Sequence, residues 1–452
     1  MQDAEPLAGL PTDILTVDPG EDGAGPTGER GAPRLRRADR AQVRMLACSL
    51  DELLPPDHAA RTVWAVVQKL DTSGFEAPLL ARGSDPGRAA TDPKILIALW
   101  LYAATEGVGS GRELARLCEE HTAYQWILGG VSINYHTLND FRVGHGAALD
   151  KLFTTLLTTL MHRGVVPVRR LAQDGTRVRA SAGAASFHRR QTLERDLAKA
   201  REHVEALKRQ QEAEVSAREQ AAQERAAREH QERIEAALRA LPQIEAAFEK
   251  RSPRRKAEAQ ERGTVPRAST TDPEARPMRM PDGGYRPAYN VQLVADTESR
   301  AIVGVKVGNN GSDMGQAPPL LDQVVERTGG KVEEVLLDGG FLHLATIDEL
   351  AEKGVTVYAP VMESKNAQGG PHTARPGDSE AVAAWRTRMA TPEAKAIYKE
   401  RGSTIEPING DLKTFRGLTQ FTVRGLAKVT SVVLWSVLAY TLMRFGGHLL
   451  AA

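Results

Sequence analysis

The chain has 452 residues, enough for two or three domains and a substantial core. With 41% hydrophobic, 26% charged and 5% aromatic residues, its composition is that of a soluble globular protein. Lys+Arg 59 against Asp+Glu 58 leaves a net charge of +1, which excludes a global basic field but not a local patch for nucleic acid. Cys48 and Cys118 lie far apart in no metal-type spacing and fit a reduced intracellular protein. The N-terminus has no basic segment followed by an apolar core, so a secretion signal is not expected.

Residues 1–40 are rich in Gly, Pro, Asp and Arg and read as a disordered leader. Over 41–164 the pattern is helical, with apolar residues three and four apart in "HAARTVWAVVQKL" and "DPKILIALWLYAATEG". Asp92 before Pro93 is a helix start, Ser110 caps the next helix, and Gly129-Gly130 stops another. "NYHTLNDFRVGHGAALDKLFTTLLTTLMHRG" closes this region with one or two more helices. "VPVRRLAQDGTRVRAS" then alternates, as a strand or hairpin ending in a glycine turn.

Residues 187–263 form a helical, coiled-coil-like insertion. Leu193, Leu197, Ala200, Val204 and Leu207 step by 4, 3, 4 and 3, a heptad seam that resumes at Ile234, Leu238 and Leu241. Pro242 is expected to kink or break its helix. Two helices packed as a hairpin and one exposed helix both fit. Basic clusters, "FHRRQ" and "KRSPRRK", flank the insertion, which suits a dimer contact, an arm on DNA or a solvated hairpin.

Beyond it, "YNVQLVADTESRAIVGVKVG" reads as two strands around Asp296–Ser299. Helix, strand ("KVEEVLLDGGF"), helix, strand ("VTVYAPV") and terminal helices follow. This order predicts a mixed sheet with helices on its faces. The apolar run 429–445 is at the short limit for a bilayer and is interrupted by Thr430, Ser431 and Ser436, so it reads as a buried C-terminal helix.

Asp174 and Asp338 each end a buried strand and precede glycine. A strand's C-terminal edge is where α/β sheets place chemistry, and the glycine admits a metal or a phosphate backbone. Asp-Gly is equally a common turn dipeptide. A third carboxylate, Glu406, stands seven residues before Lys413 on one helix face, with Pro407 marking a helix start. Three carboxylates at one point are what a pair of divalent ions requires. A solvated charged face is the plain alternative for that segment.

These residues resemble bacterial insertion-sequence transposases with a DDE triad on a ribonuclease-H-like core, in particular the insertion-sequence 1182 branch. The marks are "DGTRVRA", "TDPEARPMR", "YNVQLVAD", "LLDGGF" and "RGSTIEPINGDLK", with "GVGSGRELARLCEEHTAYQWILGG" and "HTLNDFR" in the N-terminal helices. The resemblance implies a ribonuclease-H-like catalytic domain over 165–186 and 264–452 and a helical N-terminal DNA-binding domain. It implies Asp174, Asp338 and Glu406 as catalytic and metal-binding residues, with Mg2+ or Mn2+ as cofactor. Tyr398, Arg401, Glu406 and Lys413 match its tyrosine–arginine–glutamate–lysine signature, and the basic members hold phosphate.

Two departures stand out. Four residues separate Arg401 from Glu406 where the better-known signature has three, and "INGDLK" lacks the usual aromatic after the position following the proline. Should Glu406 not serve, Asp313, Glu363 and Glu400 are the substitutes. His136, Asn139, Arg142 and His145 offer phosphate and base contacts, or are ordinary surface residues. Asn290 and Gln292 neighbour the first acid and either support it or pair across the sheet.

The implied activity is metal-dependent cleavage at terminal inverted repeats followed by strand transfer into target DNA. The protein is expected in the cytoplasm at the nucleoid, as a homodimer on double-stranded DNA and with no membrane partner. A nuclease of the same fold without strand transfer, and a silent DNA-binding remnant of an element, are the alternatives.

Overall fold

The computed structural model describes residues 47–79, 89–209, 217–261, 265–362 and 370–451. The expected leader and Glu363 lie outside the described residues. Residues Cys48–Ala452 make one compact unit. The N-terminal part is helical: α1 (Ala59–Gln68), α2 (Ser73–Glu76), α3 (Pro93–Thr105), α4 (Gly111–Glu120), α5 (Thr122–Leu128), α6 (Tyr135–Gly144) and α7 (Gly146–His162). The local signals operate as expected. Asp92 accepts the Lys94 amide at 2.8 Å with Pro93 at the first helical position, Ser110 accepts from Glu113, and Gly129 ends α5 in the left-handed region.

Strand β1 (Arg170–Arg179) opens the sheet, and β2 (Phe187–His188) leads into helices α8 (Arg190–Arg209), α9 (Ala217–Glu249) and α10 (Pro253–Glu261). The chain returns through β3 (Ala268–Ser269), which pairs with β2 and closes the base of the insertion. Ion pairs Arg190–Glu245 and Arg201–Glu235 fix α8 and α9 antiparallel. Their seam is Leu193 and Ala200 against Ile234, Ala237 and Leu241. The heptad stripe is thus buried within one chain, as a hairpin. Pro242 does not end α9, which runs on to Glu249.

The remaining elements are β4 (Arg276–Arg279), β5 (Tyr285–Asp296), β6 (Ile302–Gly308), α11 (Ala317–Thr328), β7 (Glu334–Leu336), α12 (Leu344–Glu352), β8 (Thr356–Tyr358), α13 (Glu380–Arg388), α14 (Pro392–Thr414) and α15 (Leu426–Leu450). The sheet runs β4-β5-β1-β7-β8, with β6 also on β5. β1 is antiparallel to β5, and β7 and β8 are parallel to β1. It is the expected mixed sheet with flanking helices.

Two expectations change. Asp174-Gly175 is no turn: both lie inside β1, paired with Leu293 and Gln292. Helix α14 begins not near Glu406 but at Thr391–Pro392, where Thr391 accepts the Ala394 amide at 3.1 Å. Pro407 falls inside that helix, where it withholds one backbone donor.

Helix α15 carries the apolar run, and 72% of its apolar window is buried inside the fold, against α3, α6 and α7 among others. Its hydroxyls are satisfied along the helix. Thr430 donates to the Leu426 carbonyl at 2.8 Å, and Thr441 to that of Val437 at 2.9 Å. One hydrophobic core consequently extends from the N-terminal bundle to the sheet.

Candidate active site

The last paired residues of β1 and β7 are Ala172 and Leu336, so Asp174 and Asp338 stand two residues further on along neighbouring parallel strands. Each carboxylate is fixed by the amide that follows it. Oδ1 of Asp174 accepts from Gly175 at 2.9 Å, and Oδ1 of Asp338 from Gly339 at 2.7 Å. Pleating places Asp174 and Gly175 on opposite faces. On the Asp174 face lies α14, whose Asn409 donates Nδ2 to Oδ2 of Asp174 at 3.0 Å. The Gly175 face belongs to Asp313, which accepts from Gln292 at 2.6 Å, Asn290 at 2.7 Å and Arg177 at 2.8 Å.

Helix α14 carries the whole signature. Arg401 sits between two acids, with Nη1 3.9 Å from Oδ1 of Asp174 and Nη2 3.9 Å from Oε1 of Glu406. Its Nη1 is buried and has no hydrogen-bond partner among the described residues. Burial raises the Asp174 carboxyl above its ordinary value, opposed by the charge of Arg401 and the Gly175 amide and reinforced by Asp313 and Asp338. Burial likewise holds the Tyr398 hydroxyl in its neutral form, beside Arg401. Lys413 is pushed down by burial, while Asp174 pulls it up.

Of the substitutes for Glu406, the two among the described residues are otherwise engaged. Asp313 is held by its three donors, and both carboxylate oxygens of Glu400 accept from the single Nη1 of Arg170, at 3.0 and 2.9 Å. Glu406 is the outlying acid, its side chain 68% exposed. Among the described residues, no three His, Cys, Asp or Glu side chains gather closely enough to hold one ion. The donor set nevertheless suits a hard divalent ion: carboxylate oxygens on two adjacent strands, Asp174 inside β1 and Asp338 just past the end of β7, with a third acid on the facing helix.

The N-terminal candidates separate. His136 is exposed, its ring 4.0 Å from that of Tyr135, and Arg112 lies over Tyr135 at 5.1 Å. Arg142 is corrected. It is 8% exposed, stacks over Trp100 at 4.7 Å and donates to the Gly109 carbonyl and to Thr422, so no DNA strand can reach it. Burial pushes it down to about 10. His145 packs against Phe75 and Phe141. Asn290 and Gln292 support Asp313 behind the strand, not Asp174 in front of it.

Sequence reasoning missed Asn409, whose signal was the absent aromatic at its position. It also missed the clamp on α15. Asp272 and Glu274 of "TDPEAR" accept the Gly425 and Leu426 amides at 3.3 and 2.8 Å, and Asp272 accepts the Tyr289 hydroxyl at 2.7 Å.

Two family models match the chain: a transposase DDE domain over residues 263–442 and a transposase domain (DUF772) over residues 48–143. The first begins at the end of the helical insertion, so it contains Asp338 and Glu406 but not Asp174. A DDE domain implies a ribonuclease-H-like fold, and the mixed sheet with its flanking helices is consistent with one. No curated protein and no solved structure matches the chain significantly. Between them the two domains take in more than half of the sequence, and the chain belongs to the DDE transposases of insertion sequences.

Proposed function

We propose that this chain, as a transposase of the insertion-sequence 1182 branch, binds the terminal inverted repeats of its element as a homodimer, cleaves the DNA there and joins the freed end to target DNA. The observation that carries the reading is the placement of Asp174 and Asp338 at equivalent positions on neighbouring parallel strands, with helix α14 bringing Arg401 and Glu406 to the same face.

Asp174, Asp338 and Glu406 are the residues that would hold Mg2+ or Mn2+. Such ions, when bound, polarise a phosphodiester and make water or a DNA 3′-hydroxyl a competent nucleophile near neutral pH. The rest falls to the chain itself. The Gly175 and Gly339 amides keep the two carboxylates from rotating, so each presents its second oxygen. Arg401 offsets the buried charge of Asp174 and, with Lys413, contacts phosphate oxygens of the bound strand. Tyr398, kept neutral by burial, is a hydrogen-bond donor to that strand.

The test is cleavage and joining of a linear DNA carrying the element's own ends, with Mg2+, by wild type and by Glu406→Gln. Loss of both products in the variant is the expected result. Cleavage without joined product in the wild type would reduce the protein to a nuclease, and an active Glu406→Gln would remove Glu406 from the site.

A further inference from the structure

Asn409 lies three residues after Glu406 and four before Lys413, so α14 presents all three on one side. Its Nδ2 donates at 3.0 Å to Oδ2 of Asp174, the oxygen that the Gly175 amide leaves free. The other end of the same amide, Oδ1, is buried and has no hydrogen-bond partner among the described residues. A bare amide oxygen beside the first acid, on the helix that carries the third, has no structural use in the ion-free chain.

The terminal torsion of an asparagine is broad and nearly two-fold, so a half-turn exchanges Oδ1 and Nδ2 without moving the helix. Turned, Oδ1 takes the place of Nδ2, 3.0 Å from the carboxylate oxygen. Two oxygens that are neighbours around an octahedral ion with bonds of about 2.1 Å are themselves about 3.0 Å apart. That separation is repulsive for a bare oxygen pair and is the ordinary edge of a Mg2+ or Mn2+ coordination shell. Being neutral, an amide oxygen adds a donor here without adding a negative charge beside a carboxylate that already feels Asp313 and Asp338.

We infer that Asn409 is a further ligand of the divalent ion held by Asp174. Its amide N–H2 faces the carboxylate when no ion is present, and its oxygen faces the ion when one is bound. The inference rests on the proposed role of Asp174 and assigns a metal-facing role to a position where an aromatic residue could offer no lone pair.

The experiment titrates Mn2+ into the full-length chain without DNA, following free Mn2+ by electron paramagnetic resonance. It compares wild type, Asn409→Ala, Asn409→Asp and Asp174→Asn. Asn409→Ala should weaken Mn2+ binding by about tenfold, and Asn409→Asp should bind at least as tightly as wild type. Thermal melting adds an independent readout. In chelator, Asn409→Asp should melt below wild type, because two carboxylates then face each other, and Mn2+ should restore it. Unchanged affinity in Asn409→Ala alongside weakened affinity in Asp174→Asn overturns the role of Asn409 alone. Wild-type affinity in both overturns it together with the metal reading of Asp174.

Discussion

A Cβ placed on Gly175 would lie 2.3 Å from Oδ1 of Asp313, so the Asp313 carboxylate occupies the space that a side chain at 175 would need. The contact is on the face of β1 turned away from Asp174, and Gln292 Nε2 crowds the same point at 2.3 Å. The glycine after the first acid therefore serves neither a turn nor the approach of a phosphate. It lets a partly buried carboxylate, held by three donors, pack against the strand directly behind the site, and its own amide orients Asp174.

Gly175→Ala should therefore destabilise the fold by about 1–3 kcal/mol through overpacking, and cleavage should fall with it. Denaturant unfolding of Gly175→Ala, Asp313→Ala and the pair checks the cause. If the clash is with Asp313, the double variant loses less than the two singles combined. Strict additivity would show that the two residues do not meet.

Asp174→Asn, Asp338→Asn and Glu406→Gln should each abolish cleavage while leaving affinity for the terminal repeats within a few-fold of wild type. Losing several kcal/mol of transition-state stabilisation corresponds to about a thousandfold or more in rate. Gel-shift and cleavage assays on the same preparations separate the two properties. Loss of DNA binding in all three would place these acids in the fold and not in the chemistry.

Arg142→Ala should cost about 2–4 kcal/mol, since it strips one of two donors from the Gly109 carbonyl, leaving only Thr422, and removes the cation from the face of Trp100. End-specific binding per folded molecule should be unaffected. Arg112→Ala, at an exposed position over Tyr135, should leave the melting temperature unchanged and lower the salt dependence of DNA binding by about one phosphate contact. The opposite pattern would return Arg142 to the DNA surface.

Asp272 gives a pH signature. Burial raises its carboxyl above 3.8, while Tyr289, Gly425 and the Glu274 amide hydrogen-bond to it and lower it, and Oδ2 has no partner among the described residues. Arg276 is held nearby with its own value lowered by burial. Between 3.8 and the raised value the folded chain keeps a proton that the unfolded chain has released. The contribution of Asp272 is therefore fully present below 3.8 and is lost as pH rises through its folded value. Asp272→Asn, neutral throughout, should gain on wild type as pH rises from 4 to 7, in melting temperatures taken across that range. A gap that widens on acidification instead would reverse the sign of the burial effect.

Local signals were legible in the sequence where a backbone donor had to be satisfied. Asp92-Pro93, Ser110 with Glu113, and Gly129 each mark a real helix end. The same reasoning misplaced the start of α14, because Pro407 copies the signal that Thr391–Pro392 carries, and a long helix tolerates one missing donor on an exposed turn. The two strand acids were legible from their buried approaches. What surrounds them was not: Asp313 reaches Gly175 from a loop more than a hundred residues away, and Asn409 meets Asp174 only because α14 packs on β1. Arg142 misled because its residue type suits phosphate, while its partners, Gly109, Thr422 and Trp100, come from three separate segments.

The insertion offers a last separation of fold from assembly. His188 pairs with Ala268 across the two-stranded base, so residues 189–267 leave and re-enter the core side by side. A two-residue Asn-Gly turn spans such a pair of antiparallel strands. The seam of α8 and α9 is closed within the hairpin, and several basic side chains at its base are paired there, Arg190 with Glu245 and Lys256 with Glu249. Replacing 189–267 by Asn-Gly should accordingly leave a folded, monomeric chain that still binds a single repeat end. If the hairpin is the arm that brings two ends together, the shortened chain should nick single ends at close to the wild-type rate and lose joined products, read by native gels of paired-end complexes and by the joining assay. Full joining by the shortened chain would make the hairpin dispensable, and failure to fold would show that β2 and β3 depend on α9 packed against them.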